Sequence, residues 1–438
     1  MSLANIIFII ILTFALSLFI INLKKIINNI KLGKDVNRSD NKKIRLKNMI
    51  RVALGQSKMF DRPTAAVLHL FLYVGFVIIN IEVFEILIDG VFGTHRFLAH
   101  IININLYNFL IASFEVLAFL VFFSCIIFLI RRNVIKLKRF WSKEMTSWPK
   151  NDANFILIFE ILLMGAFLTM NISDSILQSR GVDHYILAGS FPISQFLSSL
   201  FISLSTESLI FIERFAWWFH ILGILAFMNY VLISKHLHIF FAFPSTYYAN
   251  INKLGQFDNL NSVTKEVKMM LDPNADPFAS TDNNSSIDQS VQLFGAKDAT
   301  DLNWVQLLNA YSCTECGRCS SVCPANETGK LLSPRKIMMD TRDRIEEIGK
   351  AKSKDNKFLL GDYITKEELW ACTTCNACTD ACPINLDPLS IIVDLRRYLV
   401  MEESSAPTEL NNMFTNIENN GAPWQFSAAD RLNWVDEK

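Results

Sequence analysis

Five long apolar segments alternate with polar loops in the first half of the chain. They cover residues 4–23, 63–88, 106–130, 153–170 and about 209–241. Each is near or above the ~17–25 residues that an α-helix needs to cross a bilayer. Because a spanning segment must satisfy its backbone hydrogen bonds internally, all five are predicted to be helices. The pattern therefore predicts an all-α polytopic membrane domain with five transmembrane helices.

The loops between these segments differ in charge. Residues 24–62 contain twelve Lys or Arg and three acidic residues, and residues 131–150 contain seven and one. The loops at 89–105 and 171–208 contain one Arg each. Positively charged loops stay in the cytoplasm, so the first two loops are predicted to be cytoplasmic and the N-terminus outside. We expect a multi-pass protein of the cytoplasmic (inner) membrane of a bacterium, with its C-terminal half in the cytoplasm.

A further apolar stretch, at 191–204, lies in the last outer loop. A helix lying on the outer surface is favoured over a sixth crossing, because a sixth crossing would place the C-terminal half outside.

Charge divides the 438-residue chain into two halves. Residues 1–240 carry 23 basic and 14 acidic side chains, whereas residues 241–438 carry 19 and 28. An apolar fraction of 51% excludes a wholly soluble protein, and the acidic second half excludes one fully embedded in the membrane. The basic residues lie between apolar segments rather than in a stripe on the polar half, so no nucleic acid partner is expected.

Two cysteine runs with one spacing lie in the polar half. Each reads Cys-x2-Cys-x2-Cys-x3-Cys-Pro, the ligand pattern of bacterial [4Fe–4S] ferredoxins, in which the fourth Cys ligates the other cluster. The pattern predicts that cluster 1 is held by Cys313, Cys316, Cys319 and Cys382, and cluster 2 by Cys372, Cys375, Cys378 and Cys323.

The alternatives for these cysteines are zinc and disulfides. Structural zinc sites show separated pairs or mix Cys with His, and disulfides are disfavoured in the cytoplasm. Cys125, alone in the third apolar segment, is predicted to pack in the core. The segments around the runs are predicted to be helical, so the second half is expected to hold a mostly α-helical dicluster ferredoxin-like domain.

The predicted organisation has four parts. A five-helix, cytochrome b-like membrane domain covers 1–245, and a partly disordered linker covers 246–302. The dicluster [4Fe–4S] domain covers 303–405, and residues 406–438 form a tail that is a candidate partner-docking segment.

Several histidines lie at depths suited to haem ligation. His69 and His238 are at the cytoplasmic ends of the second and fifth segments, so they are predicted to clamp one b-type haem. His220 precedes His238 by 18 residues, which on one helix is five turns, with both rings on one face about 27 Å apart. A second haem would need His95 or His100 as the partner of His220. The alternative is that such a histidine hydrogen-bonds to a neighbouring helix.

Carboxylates also occur inside the apolar segments. They are Glu82, Glu85, Glu115, Glu160 and Glu213. Charged groups in the bilayer are costly and point to function. The alternative, which applies to those near segment ends, is that they face the lipid headgroups.

Particular stretches carry a resemblance to known redox proteins. His69-Leu-Phe-Leu-Tyr-Val-Gly-Phe, and Ser234-Lys235-His236-Leu237-His238 followed by Pro244, resemble the membrane cytochrome of heterodisulfide reductase and of respiratory nitrate reductase's gamma subunit. Cys313-Thr-Glu-Cys-Gly-Arg-Cys, Leu332-Ser-Pro-Arg-Lys and Arg396-Arg397-Tyr398 resemble the iron–sulfur subunit of heterodisulfide reductases. The resemblance covers roughly 60–430.

The resemblance implies electron exchange between the membrane quinone pool and a cytoplasmic redox partner. We expect a quinone-linked oxidoreductase subunit with two [4Fe–4S] clusters, one or two b haems and quinone or quinol as substrate. Glu82, Glu85 and Glu115, with His95, are the candidates for handling quinol protons. The alternatives are a haem-free membrane-anchored ferredoxin and a cluster-based redox sensor.

The terminal catalytic site is expected on another polypeptide. No Cys follows Cys382, and in longer relatives a Cys-rich catalytic domain comes after a stretch that resembles the one at 420–424. We expect a separate cytoplasmic heterodisulfide reductase-like subunit with that domain to dock near cluster 2. Trp424, Phe426 and Trp434 are candidate anchors, unless they pack on the chain's own dicluster domain.

Overall fold

The structure, a computed structural model, describes residues 2–273, 293–351 and 355–436. Helices dominate it. These residues contain no strand and only two isolated β-bridges, which pair Lys34 with Asn303 and Leu360 with Ile364. The predicted all-α fold class is confirmed.

Five helices are long and apolar enough to span a membrane, as predicted. They are Leu3–Ile30, Pro63–Phe92, Ile104–Val134, Ser147–Ser179 and Thr206–Val231. The second shows why its ends lie where they do. Pro63 occupies the first turn, where a helix needs no N–H from it, and Gly93 ends the helix with a φ of +74°, which favours glycine.

The fifth helix is shorter than predicted. It ends at Val231, a 3₁₀ turn follows at Lys235–Leu237, and a separate helix covers His238–Tyr248. The expectation of one segment reaching about residue 241 is therefore wrong. His220 and His238 lie on different helices, so the prediction that they share one face of one helix is wrong as well.

Side chains of the fourth helix hold the chain in this turn. The Asp152 carboxylate accepts a hydrogen bond from the Lys235 backbone N–H at 3.0 Å and another from the Tyr230 hydroxyl at 2.6 Å. The Ser234 side chain accepts from the His236 backbone N–H at 3.2 Å. A buried carboxylate that binds the backbone of another segment fixes where the helix can end, and the apolar pattern gives no sign of it.

The interior of the bundle is a hydrophobic core shared by all five spanning helices. Large buried side chains in it include Phe8, Tyr107, Phe114, Phe167 and Ile221. Cys125 packs there as predicted. The outer-loop stretch forms only the short helix Ser194–Leu197 and a 3₁₀ turn at Ser198–Leu200, so the described residues contain no sixth span.

The dicluster domain has its own helical core. Its main helices are Trp304–Ser312, Pro334–Lys350 and Pro388–Met401. Shorter helices in the same domain are Pro324–Glu327, Lys366–Trp370 and Ala377–Asp380. The remaining helices of the described chain are Lys42–Met49, Asn261–Leu271, Thr408–Asn420 and Asn433–Asp436.

This domain packs directly against one end of the membrane bundle. Ile26 and Ile30 of the first spanning helix belong to the same core as Leu307 of the domain. Arg335 of the domain pairs with Glu144, between the third and fourth spanning helices, at 2.7 Å. We call this end of the bundle the cluster-side end and the opposite end the far end.

The described parts of the predicted linker are ordered against the dicluster domain. Ala296, Ala299 and Leu302 are fully buried in its core. Residues 274–292, where the predicted polar linker is most polar, lie outside the described residues.

Candidate functional site

The four cysteines predicted for cluster 1 surround one cavity. Cys313 caps the helix Trp304–Ser312, and with Cys316, Cys319 and Cys382 it lines this cavity, which Cys378 of the second run also borders. Burial, together with the nearby Cys316, raises the pKa of the Cys382 thiol to about 11. The fourth cysteine of the second run therefore reaches the first run, as the ferredoxin pattern predicts.

The loop that carries these thiols depends on one glycine. Gly317 has a φ of +70°, and a Cβ at this position would lie 2.5 Å from Arg335 Nη1. Any side chain there would be strained and would also displace this fully buried arginine. The bare backbone keeps the loop tight around the cavity.

The four cysteines predicted for cluster 2 are also grouped. Burial raises the pKa of the Cys372 and Cys378 thiols, and Cys323 raises both further, so Cys323 lies beside the second run. Cys375 is exposed. The cysteines predicted for cluster 2 therefore reach the surface of the domain, whereas the loop of the first run contacts Arg139 of the membrane bundle's connecting loop.

His69 and His238 come together at the cluster-side end. Their ring centroids are 6.4 Å apart. The Nδ1 atom of His69 lies 3.0 Å from Gln56 Oε1, and the Nδ1 atom of His238 lies 2.9 Å from the Lys235 carbonyl oxygen. Two such acceptors keep the protons on Nδ1 and leave both Nε2 lone pairs free for a metal.

The geometry of this pair fits a bis-imidazole haem. An iron atom bound by one nitrogen of each ring, with Fe–N bonds of about 2 Å, would need the ring centroids to lie at roughly the 6.4 Å that separates those of His69 and His238. Burial lowers the pKa of His238, which favours the neutral ring that metal ligation requires. His236 lies half-buried nearby, with its ring centroid 5.7 Å from that of His238, but its Nδ1 has no hydrogen-bond partner in the described chain.

The histidines suggested for a second haem do not form a pair. His220 is 1% exposed, and neither ring nitrogen has a partner among the described residues. His95 uses both nitrogens elsewhere, since Nε2 lies 3.1 Å from Asp174 Oδ1 and Nδ1 accepts from the Ile186 N–H at 3.3 Å. It has no free nitrogen for iron. His100 is exposed at the end of a short 3₁₀ helix.

A polar cavity of about 460 Å³ opens at the far end of the bundle. Its lining includes Glu82, Glu85, His95, Arg96, Asp174 and Trp217. Arg96 organises the site, because its Nε donates to Asp174 at 2.8 Å and its Nη2 donates to Asn171 at 3.2 Å. Glu82 lies 3.9 Å from Arg96, and its Oε2 atom is buried with no partner in the described chain.

The other predicted carboxylates differ in their surroundings. Glu85 accepts from the Leu98 N–H at 2.9 Å and from the Tyr107 hydroxyl at 3.0 Å. Glu115 instead accepts from the Ile193 N–H at 2.9 Å and from the Ser194 N–H and hydroxyl. Its contacts thus hold the outer-loop segment against the bundle.

Sequence patterns alone miss several residues of these sites. Arg96 is the single basic residue of its loop, which is the only signal that marks it. The apolar pattern ends the fourth segment at 170 and so places Asp174 in a loop, whereas the helix continues to Ser179. No pattern in the sequence marks Lys235 and Glu315, which pair across the two domains at 2.8 Å.

Comparison with known proteins identifies the cysteine half. The profile of the 4Fe-4S dicluster domain matches residues 309–386. The Probable iron-sulfur-binding oxidoreductase FadF of Bacillus subtilis is 28% identical over 98% of this chain and 60% of its own length. The EtfAB:quinone oxidoreductase of Syntrophomonas wolfei is 28% identical over 92% of this chain and 56% of its own.

A third relative links the chain to heterodisulfide reductases. It is a subunit of the Ferredoxin/F(420)H(2)-dependent CoB-CoM heterodisulfide reductase of Methanosarcina acetivorans, and it is 35% identical over 23% of this chain and 52% of its own length. The chain thus spans 60% or less of the length of these three relatives. No solved structure matches it. The dicluster profile and these relatives confirm the predicted resemblance to heterodisulfide reductase-like iron–sulfur proteins.

Proposed function

We propose that this protein relays electrons between the quinone pool and a redox partner through one b haem and two [4Fe–4S] clusters. The observation that carries the proposal is a continuous set of contacts from the haem-ligand pair to the cluster 1 loop. The His238 Nδ1 donates to the Lys235 carbonyl at 2.9 Å, and the Lys235 ammonium donates to Glu315 at 2.8 Å. Glu315 directly precedes Cys316.

The second haem ligand is connected to the same loop. Gln56, which accepts from His69, precedes the 3₁₀ turn Ser57–Asp61. Arg318 of the cluster 1 loop donates to the Lys58 carbonyl at 2.9 Å, and the Lys58 ammonium donates to the Asp380 carbonyl at 2.8 Å. The contacts on both sides support the order haem, cluster 1, cluster 2.

One haem is the proposal that the ligand set supports. When bound between His69 and His238, haem would supply a one-electron carrier at the cluster-side end. The chain's own residues orient the two rings through Gln56 and the Lys235 carbonyl. His220 lacks a second imidazole, so no second haem is proposed.

The far-end cavity is the proposed quinone site. Its volume of about 460 Å³ falls in the range of small-molecule pockets, about 300–1,000 Å³. Oxidation of a quinol releases protons as well as electrons, and a titratable group must lie within reach of the quinol oxygens. Glu82 is the proposed acceptor because its Oε2 has no partner among the described residues, and Glu85 and His95 line the same cavity. A relative named as a quinone oxidoreductase supports this assignment.

Electrons leave, in this proposal, at the exposed face of cluster 2. A separate heterodisulfide reductase-like subunit with a Cys-rich domain is the proposed partner, supported by the similarity to a subunit of a heterodisulfide reductase. Trp424, Phe426 and Trp434 are 49%, 70% and 72% exposed. These aromatic side chains are therefore free of the dicluster core and available as anchors.

The experiment that tests the proposal combines optical and EPR spectra of the purified full-length protein. Adding a quinol analogue should reduce a bis-imidazole b haem and then the two clusters. His238→Ala should abolish the haem α-band and leave clusters that dithionite still reduces. His236→Ala is the matched control and should keep the α-band, because the ring that pairs with His69 is His238. Wild-type protein without haem, or an unchanged α-band in His238→Ala, would contradict the proposal.

A further inference from the structure

Arg139 is partly buried at the junction of the two domains, and two of its hydrogen-bond donor atoms are buried without an acceptor in the described chain. It lies on the 3₁₀ turn Lys138–Phe140, between the third and fourth spanning helices. Its guanidinium stacks on Phe140, with the central carbon 4.8 Å from the ring centroid. The Nε and Nη1 atoms are buried, and neither has a hydrogen-bond partner in the described chain.

Two observations place this side chain beside cluster 1. A Cβ built on Gly317, between Cys316 and Cys319, would lie 3.4 Å from Arg139 Cβ. Burial lowers the pKa of Arg139 to about 10, and the strongest opposing influence is the negative charge of Cys316. Arg139 thus lies against the loop that carries the cluster ligands, close enough for its charge to interact with Cys316.

The neighbouring arginines already have acceptors. Arg335 donates to Glu144 at 2.7 Å and to the Arg139 carbonyl at 2.6 Å. Arg318 donates to the Lys58 carbonyl at 2.9 Å. A charged guanidinium whose Nε and Nη1 donors are buried without an acceptor is costly, so an anion is expected next to Arg139. An iron–sulfur cubane with four thiolates is a net anion with sulfur acceptors.

We propose that Arg139 donates N–H hydrogen bonds to the sulfur atoms of cluster 1 and raises its reduction potential. Reduction adds negative charge to the cluster, so a fixed positive charge and hydrogen bonds to sulfur favour the reduced state. The membrane bundle would then set the potential of the cluster that receives its electrons. The inference rests on the dicluster part of the proposed function and needs neither haem nor quinone.

The test is an EPR-monitored redox titration of the purified full-length protein with dithionite and soluble mediators. Arg139→Gln should lower the midpoint potential of cluster 1 by about 59 mV, which for a one-electron couple is a tenfold change in the reduction equilibrium constant. Arg139→Lys should show a smaller shift. Lys138→Gln removes a positive charge from an exposed neighbour and should leave the midpoint unchanged. The signal lost in Cys316→Ser identifies cluster 1.

The outcomes are decisive because mediators bypass the quinone and haem sites. A cluster 1 midpoint in Arg139→Gln equal to that of Lys138→Gln would overturn the proposal. If the Arg139→Gln protein does not retain cluster 1, the midpoint potential of cluster 1 in Arg139→Lys tests the proposal instead. A lowered midpoint in that variant supports the contact, and a wild-type midpoint refutes it.

Discussion

At the residue scale, Lys235 shows how one side chain can serve two domains. Its backbone N–H binds Asp152 of the fourth spanning helix, its carbonyl accepts from His238, and its ammonium reaches Glu315 beside Cys316. Each contact is an ordinary hydrogen bond. Their combination in a single residue fixes the proposed haem ligand relative to the cluster 1 loop.

Cys316→Ser should remove cluster 1 before it affects cluster 2. A serine oxygen is a poor substitute for a thiolate ligand of iron, and only one of the two cysteine groups loses a thiol. EPR and iron analysis should find about one cluster left. Cys125→Ser is the matched control, because Cys125 packs in the bundle core and its variant should keep both clusters. Equal loss of both clusters in Cys316→Ser would argue against the predicted division of ligands.

At the element scale, the helix Ser194–Leu197 is too short to be stable without contacts to the rest of the protein. Glu115 on the third spanning helix accepts from the Ile193 and Ser194 backbone N–H groups and from the Ser194 hydroxyl. The carboxylate therefore acts as an external cap for this helix. The sequence pointed to a functional role for Glu115 because it is a carboxylate within a spanning segment. Its contacts with the loop give it a structural role that accounts for its position.

Glu115→Gln should lower thermal stability and leave quinol-linked cluster reduction intact. An amide has one acceptor oxygen where the carboxylate has two, so the cap is expected to weaken by about 1.5–3 kcal/mol, the range for hydrogen bonds to charged groups. Thermal unfolding in detergent measures the first effect and stopped-flow cluster reduction the second. Glu207→Gln, at an exposed position at the start of the fifth helix, should change neither. A large loss of quinol-linked reduction in Glu115→Gln would return Glu115 to the quinone site.

At the scale of the whole molecule, the two proposed redox sites lie at opposite ends of the bundle. The polar cavity is at the far end, whereas the His69–His238 pair and cluster 1 are at the cluster-side end. With the orientation that the loop charges predict, quinol protons would leave on the outer side.

Glu82→Gln should slow quinol-linked reduction of the clusters by about 10²-fold or more, the usual contribution of a general base. Reduction by dithionite should not change, because it bypasses the cavity. Glu160→Gln is the control, since it makes the same replacement inside the bundle at a residue that does not line this cavity. If both variants reduce the clusters at the wild-type rate, the quinone site lies elsewhere.

Local sequence patterns determined the five helices and the grouping of the cysteines. Helices that span a bilayer need long apolar runs, and a cubane needs thiolates at short fixed spacings, so both leave their mark along the chain. The order of the cysteines also predicted that Cys382 reaches the first run, because in the ferredoxin pattern the fourth Cys of each run ligates the other cluster.

Tertiary structure alone decided the polar contacts between distant segments. The fifth helix ends at Val231 because Asp152 binds the following turn. Glu115 serves a loop that begins far along the chain, and Arg139 meets Gly317 only because the dicluster domain docks on the bundle. Such contacts depend on where side chains of separate segments meet in space. The apolar periodicity that defines the segments carries no information about these meetings, because any polar side chain at a helix end satisfies the same pattern.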